Sequence, residues 1–172
     1  MTLQVPTFQK AIDGTPYYIT QAKLTVKLTG EDTGGSYTLL ELSAPSGLHI
    51  APHTHTLEDE VFFVITGSMR LTCGSSTSDL GPGDCAFLPR GIAHSFEVTS
   101  DGLRVVQIAS PPGFENMLAE LGDVSASPRP LSSYSPDDVK RVMQVTHAYG
   151  QTVTPLRAGG PPNSCQDKPL TH

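Results

Sequence analysis

The stretch "PHTHTLEDEVFFVITG", residues 52–67, decides the fold. It opens on two histidines, runs through three acids and becomes a bulky apolar strand that stops at a glycine. In an extended strand, residues i and i+2 face the same side, so His53 and His55 project their imidazoles side by side. Glu60, five positions past His55, has the wrong parity for that face of a continuous strand. The "TLED" segment must therefore bend and bring Glu60 in at the start of a second strand. Along it, Glu60, Phe62 and Val64 share one face, and Val61, Phe63 and Ile65 share the other.

Outward from this stretch, the chain between Pro16 and Ser110 reads as short strands separated by turns. The apolar runs are "YYIT" (17–20), "LTVKLT" (24–29), "YTLLELS" (37–43), "EVFFVIT" (60–66), "SMRLTC" (68–73), "CAFLP" (85–89), "HSFEVTS" (94–100) and "LRVVQIA" (103–109). Gly67, Gly74-Ser75-Ser76, Gly81-Pro82-Gly83 and Asp101-Gly102 separate them as hairpins require. Strands at this spacing with no helix between them predict an all-β antiparallel sandwich or barrel. The character changes after Pro112. "FENMLAELG" spaces Phe114, Met117, Leu118 and Leu121 as a short amphipathic helix that ends at Gly122. A second helix starts at Ser135-Pro136, with Asp137 and Asp138 in its first turn and Val139, Val142 and Met143 as its apolar stripe. "GGPPNSCQDKPLTH", from Gly159 onward, has a disordered composition.

At 172 residues the chain fits one domain with its own core, and 37% hydrophobic with 16% charged residues is a globular composition. Gly 16 and Pro 15 suit many turns. The net charge of -6, with no Lys/Arg cluster, argues against nucleic acid and anionic membrane as partners. No run approaches a membrane span, and "MTLQVPTFQK" lacks the plan of a signal peptide. Cys73, Cys85 and Cys165 are odd in number and show no CxxC spacing, so reduced thiols in a cytoplasmic protein are expected.

Two imidazoles and a carboxylate form a three-ligand set for a divalent first-row metal. A fourth candidate, His94, opens a strand just after the Pro89-Arg90-Gly91 turn. Together they would fill four of six octahedral positions and leave two for substrate and for dioxygen or water. His49 reads as a surface residue. Glu58 and Asp59 read as a solvated bend, either being able to hold a ligand imidazole from behind. Phe62, Val64, Met69, Leu71, Phe87 and Phe96 are expected inside the barrel, and Cys73 and Cys85 as small core residues. Arg70 and Arg90 receive no functional assignment.

Gly47, His53, His55, Glu60 and Gly67 resemble the first cupin signature, G-x5-HxH-x(3,4)-E-x6-G. Gly83, Pro89, Gly91 and His94 resemble the second, G-x5-PxG-x2-H-x3-N, with Val98 where Asn is usual. That Asn is not a ligand, so the departure bears on turn geometry. "PYY" near the N-terminus and "PPGFENMLAELG" after the strands are similar to single-domain, quercetinase-like cupins. The resemblance implies a double-stranded β-helix, or jelly roll, over residues 1–112. A helical appendage at 113–150, packed on the barrel or on a dimer partner, and a flexible tail at 151–172 are expected to follow. It implies one divalent transition metal per chain (Fe, Mn, Ni or Co, with Zn and Cu compatible) held by His53, His55, Glu60 and His94. Glu60 would also be the catalytic base. The implied activity is dioxygenase cleavage of an enolic or phenolic ring such as a flavonol, by a homodimer that takes an aromatic small molecule and dioxygen. The same ligands also serve oxygen-independent isomerases, cyclases and decarboxylases, or a barrel that only binds a small molecule.

Overall fold

The computed structural model describes residues 5–153. The strands are β1 (Thr15–Ile19), β2 (Ala22–Leu28), β3 (Thr38–Ala44), β4 (His49–His55), β5 (Asp59–Thr66), β6 (Met69–Cys73), β7 (Ser76–Leu80), β8 (Cys85–Leu88), β9 (His94–Val98), β10 (Leu103–Ser110) and β11 (Gln151–Val153). Between β10 and β11 lie two helices, α1 (Phe114–Leu121) and α2 (Pro136–Ala148). The strands form two antiparallel sheets, ordered β1-β2-β3-β10-β5-β8 and β11-β4-β9-β6-β7. This is the all-β jelly roll, a sandwich with short helices after it.

Alternation along each strand builds the core. Leu40 and Leu42 on β3, Val105 on β10, and Phe62 and Val64 on β5 are buried from the first sheet. Met69, Leu71, Phe96 and Val98 are buried from the second. Phe62 and Phe96 meet edge to face at 6.0 Å between ring centres. Gly67 makes the β5–β6 turn at φ +73, and a Cβ there would lie 2.7 Å from the Leu103 Cα. Only glycine meets both conditions. Val98 leaves its turn intact. Its N–H donates to the Leu48 carbonyl at 2.8 Å, its carbonyl accepts from the Gly47 N–H at 2.9 Å, and its side chain is buried.

Several expectations are corrected. Phe87 is 61% exposed, because β8 turns Ala86 and Leu88 inward opposite Phe62 and Glu60 and leaves Phe87 outside beside Val61. Cys85 is exposed for the same reason of parity, while Cys73 is partly buried. On α2, Val139 and Met143 are exposed; Val145 and Thr146 are the buried residues, with Val142 and Tyr149 packed partly against the core. The edge strand β7, "STSDL", carries one buried apolar residue, Leu80, and owes its form to pairing with β6 rather than to an apolar pattern. Residues 151–153, expected as the start of a tail, pair with β4 instead. Cys165 and the stretch from Gly159 lie outside the described residues.

The helices end as the sequence anticipates. Ser135 and Asp138 form a reciprocal capping box on α2. Gly122, at φ +59, caps α1, whose Phe114, Met117, Leu118 and Leu121 are all buried. No helix among the described residues is long and apolar enough to cross a membrane.

Candidate metal centre

β4 and β9 lie side by side with His53 opposite His94. The pairing slips between Ile50 and His53, where Pro52 has no N–H to give to the ladder. Past that irregularity, His53 and His55 face the sandwich interior together with His94. Glu60 comes from the other sheet, at the head of β5, with its side chain buried. Candidate ligand atoms of His53, His55, Glu60 and His94 all lie within 4.8 Å of one another. The imidazole centres are 4.3–5.2 Å apart. Glu60 Oε2 is 3.1 Å from His94 Nε2 and 3.6 Å from His55 Nε2.

Each ring faces an acceptor on its far side. His53 Nδ1 donates to the Ala51 carbonyl at 2.9 Å, His94 Nδ1 to the Ile92 carbonyl at 3.2 Å, and His55 Nδ1 to Glu58 Oε1 at 2.6 Å. A carbonyl or carboxylate oxygen only accepts, so the proton belongs on Nδ1 and the Nε2 lone pair is free to point inward. The Nε2 atoms of His55 and His94 are buried without a hydrogen-bond partner. Orphaned acceptors beside a carboxylate are costly unless a cation completes them. The donor set, three imidazole nitrogens and one carboxylate oxygen, fits a divalent first-row metal.

Burial, reinforced by the neighbouring His94 and His55, pushes the His53 pKa down to about 4, so that ring is neutral at pH 7. Burial also pulls on His55, but the Glu58 hydrogen bond and the Glu60 charge outweigh it and raise its pKa. For Glu60, burial works upward, and the His94 contact with the charges of the histidines holds the carboxyl below the usual range. The site thus keeps its carboxylate anionic.

Two glutamines were missed by sequence reasoning. Gln107, buried on β10, donates through Nε2 to Glu60 Oε1 at 2.5 Å. Gln151, buried on β11, reaches Glu58 Oε1 at 3.5 Å. The available signal was parity, for Gln107 stands on the inward face shared by Leu103, Val105 and Ala109. Of the two acids in the bend, Glu58 is buried against His55, while Asp59 pairs at the surface with Arg90. Arg70 pairs with Asp79 on the exposed face, and His49 is exposed. Phe114, at the start of α1, lies nearly parallel to the His55 ring at 5.9 Å. A cavity of about 40 Å3 adjoins Leu57, Glu58, Phe114 and Tyr149, room for a few waters.

A two-sheet barrel with a His/Glu cluster between its sheets is the architecture that cupins share. The cupin domain family matches residues 39–109, the span that holds all four clustered residues. Over that span the chain carries a cupin domain, and it is similar to quercetinase-like proteins. It is 30% identical over 102 residues to a quercetin 2,3-dioxygenase of Aspergillus japonicus, covering 55% of this chain and 29% of that protein. An uncharacterized protein of Streptomyces coelicolor is 39% identical over 61 residues, 36% of this chain and 55% of its own length. This chain therefore spans about half of one curated relative and under a third of the other. Among solved structures, a protein of Thermotoga maritima described as a predicted oxalate decarboxylase superposes with a TM-score of 0.56 at 19% identity, over 60% of this chain and 97% of that one. At that identity it shows the shared fold alone.

Proposed function

We propose that His53, His55, Glu60 and His94 hold one divalent transition metal, and that the protein is a metal-dependent dioxygenase acting on an enolic or phenolic aromatic compound such as a flavonol. The observation that carries this reading is the convergence of three Nδ1-anchored imidazoles and one anionic carboxylate in a buried cluster. The similarity to a quercetin 2,3-dioxygenase supports the choice of reaction. When bound, the metal would supply Lewis acidity and a meeting point for substrate and dioxygen. The protein's own part is to aim its histidines through their Nδ1 acceptors, and to keep Glu60 ionised so that Oε2 can take the substrate hydroxyl proton while Gln107 steadies Oε1. Phe62, Phe96 and Met69 are buried in the same interior and would supply apolar walls.

The same four ligands also suit a second reading, an oxygen-independent isomerase, cyclase or decarboxylase of a small molecule, or a barrel that only binds one. Oxygen uptake separates the readings. Protein loaded in turn with Fe(II), Mn(II), Co(II) and Ni(II) is offered a flavonol and a panel of enols and catechols. Uptake that depends on substrate, metal and His94 supports the dioxygenase; ligand binding without uptake overturns it.

A second copy of the chain would dock on the outward face of the first sheet. Phe63, Ile65 and Phe87 are exposed on one side of that face. On its other side, the Lys27 ammonium on β2 holds the carbonyls of Lys10, Ala11 and Asp13. The arm so held carries Phe8, 90% exposed, and Ile12, 92% exposed. Among the described residues Cys73 and Cys85 form no disulfide, and a reducing, cytoplasmic setting belongs to the same reading.

A further inference from the structure

The three imidazoles are not supported alike. His53 and His94 rest on backbone carbonyls two residues earlier in their own chain segments, Ala51 and Ile92. His55 rests on a side chain, the carboxylate of Glu58, in the bend between β4 and β5. That bend is held in turn by the chain after α2. The Gly150 carbonyl accepts from both the N–H and the hydroxyl of Thr56, at 2.9 and 2.8 Å. Gly150 sits at φ +74, and a Cβ there would lie 2.6 Å from Leu57. The next residue, Gln151, stands opposite His55 in the β11–β4 pairing and extends its amide to Glu58. Phe114 of α1 covers the His55 ring. Phe114, Gly150 and Gln151 all lie outside the matched cupin span of 39–109.

We propose that the C-terminal α1–α2–β11 appendage is part of the metal centre, and that Glu58, backed by Gln151, is the positioning residue that fixes the tautomer and aim of His55. The inference rests on the metal reading given above. A buried carboxylate on Nδ1 both orients an imidazole and makes it a stronger donor than a carbonyl does. An acid on the bend would otherwise turn to water, and Gln151 gives its oxygen a reason to stay inside. The appendage thereby acts on His55 without touching the metal.

The test uses the full chain, with Co(II) as the probe for both affinity and the visible ligand-field spectrum. Glu58→Ala is expected to weaken Co(II) binding about 10–100-fold and to alter the spectrum. Glu58→Gln retains an acceptor for Nδ1 and is expected to lose less and to keep the wild-type spectrum. Gln151→Ala is expected to lose less than Glu58→Ala. Because it acts through Glu58, the double variant should bind no more weakly than Glu58→Ala alone. Unchanged affinity and spectrum in Glu58→Ala, or losses that multiply in the double variant, overturn the proposal. Glu58→Gln guards against a folding artefact, since a role in folding alone would leave the spectrum of its bound Co(II) equal in all variants and so overturn the proposal as well. A wild-type chain that takes up no Co(II) overturns the metal reading, and the positioning role falls with it. Wild-type binding with an indifferent Glu58 overturns the positioning role alone.

Discussion

The two oxygens of Glu60 have different neighbours: Oε1 takes the Gln107 amide, and Oε2 faces the Nε2 atoms of His94 and His55. Gln107→Leu preserves side-chain volume but leaves Oε1 without its donor, so Glu60 loses its fixed aim. Metal affinity is expected to fall about 10–100-fold, with the metal-free fold retained, as Co(II) titration beside circular dichroism will check. Unchanged affinity would contradict the role given to Gln107. At this scale, the positions of His53, His55, Glu60 and His94 were legible because strand parity and the bend at 56–59 leave few ways to arrange them. Gln107 was overlooked although parity placed it with Leu103, Val105 and Ala109, because "LRVVQIA" is apolar on both faces and does not itself say which one is inward. Phe87 misled for a related reason, because aromatic character does not report which side of a two-faced strand it occupies.

Glu115 ties α1 to the rest of the protein. Its carboxylate accepts from the Gly30 N–H at 2.8 Å, the Gly113 N–H at 3.0 Å and the Thr38 hydroxyl. Burial raises its pKa, but these bonds outweigh burial and set it below the ordinary 4.5. A depressed carboxyl pKa contributes stability that is present above 4.5 and lost as pH falls through the folded-state value. Glu115→Gln should therefore cost about 1–2 kcal/mol at neutral pH, and its deficit should shrink in urea melts run below pH about 4.5. A deficit independent of pH would contradict this. Gly67→Ala, forced against Leu103 at positive φ, is expected to cost about 1–3 kcal/mol in the same melts. The capping box and the glycine stop made both helices legible. Three residues after Gly150 carry no strand pattern of their own, so β11 emerged only through its pairing with β4.

Across the whole molecule, the sandwich gathers ligand candidates from strands far apart in sequence, and the outward face of its first sheet leaves Phe63, Ile65 and Phe87 exposed beside the Arg104–Glu41 pair. Sedimentation of the wild type should give a dimer, and Phe87→Lys, which puts a charge into the patch without touching the core, should shift it toward monomer at micromolar concentration. A monomeric wild type would contradict the placement of a second copy. The overall fold was legible because turn residues punctuate the strands so regularly; the exposed apolar patch was not, since exposure depends on the finished sheet. The central claim is the four-residue metal centre, and its most direct test is metal content after reconstitution and gel filtration, read by plasma mass spectrometry. One metal ion per chain in the wild type, reduced to background in His94→Ala and in Glu60→Ala while both variants remain folded, is the result predicted. Equal metal in wild type and variants, or none in the wild type, would contradict it.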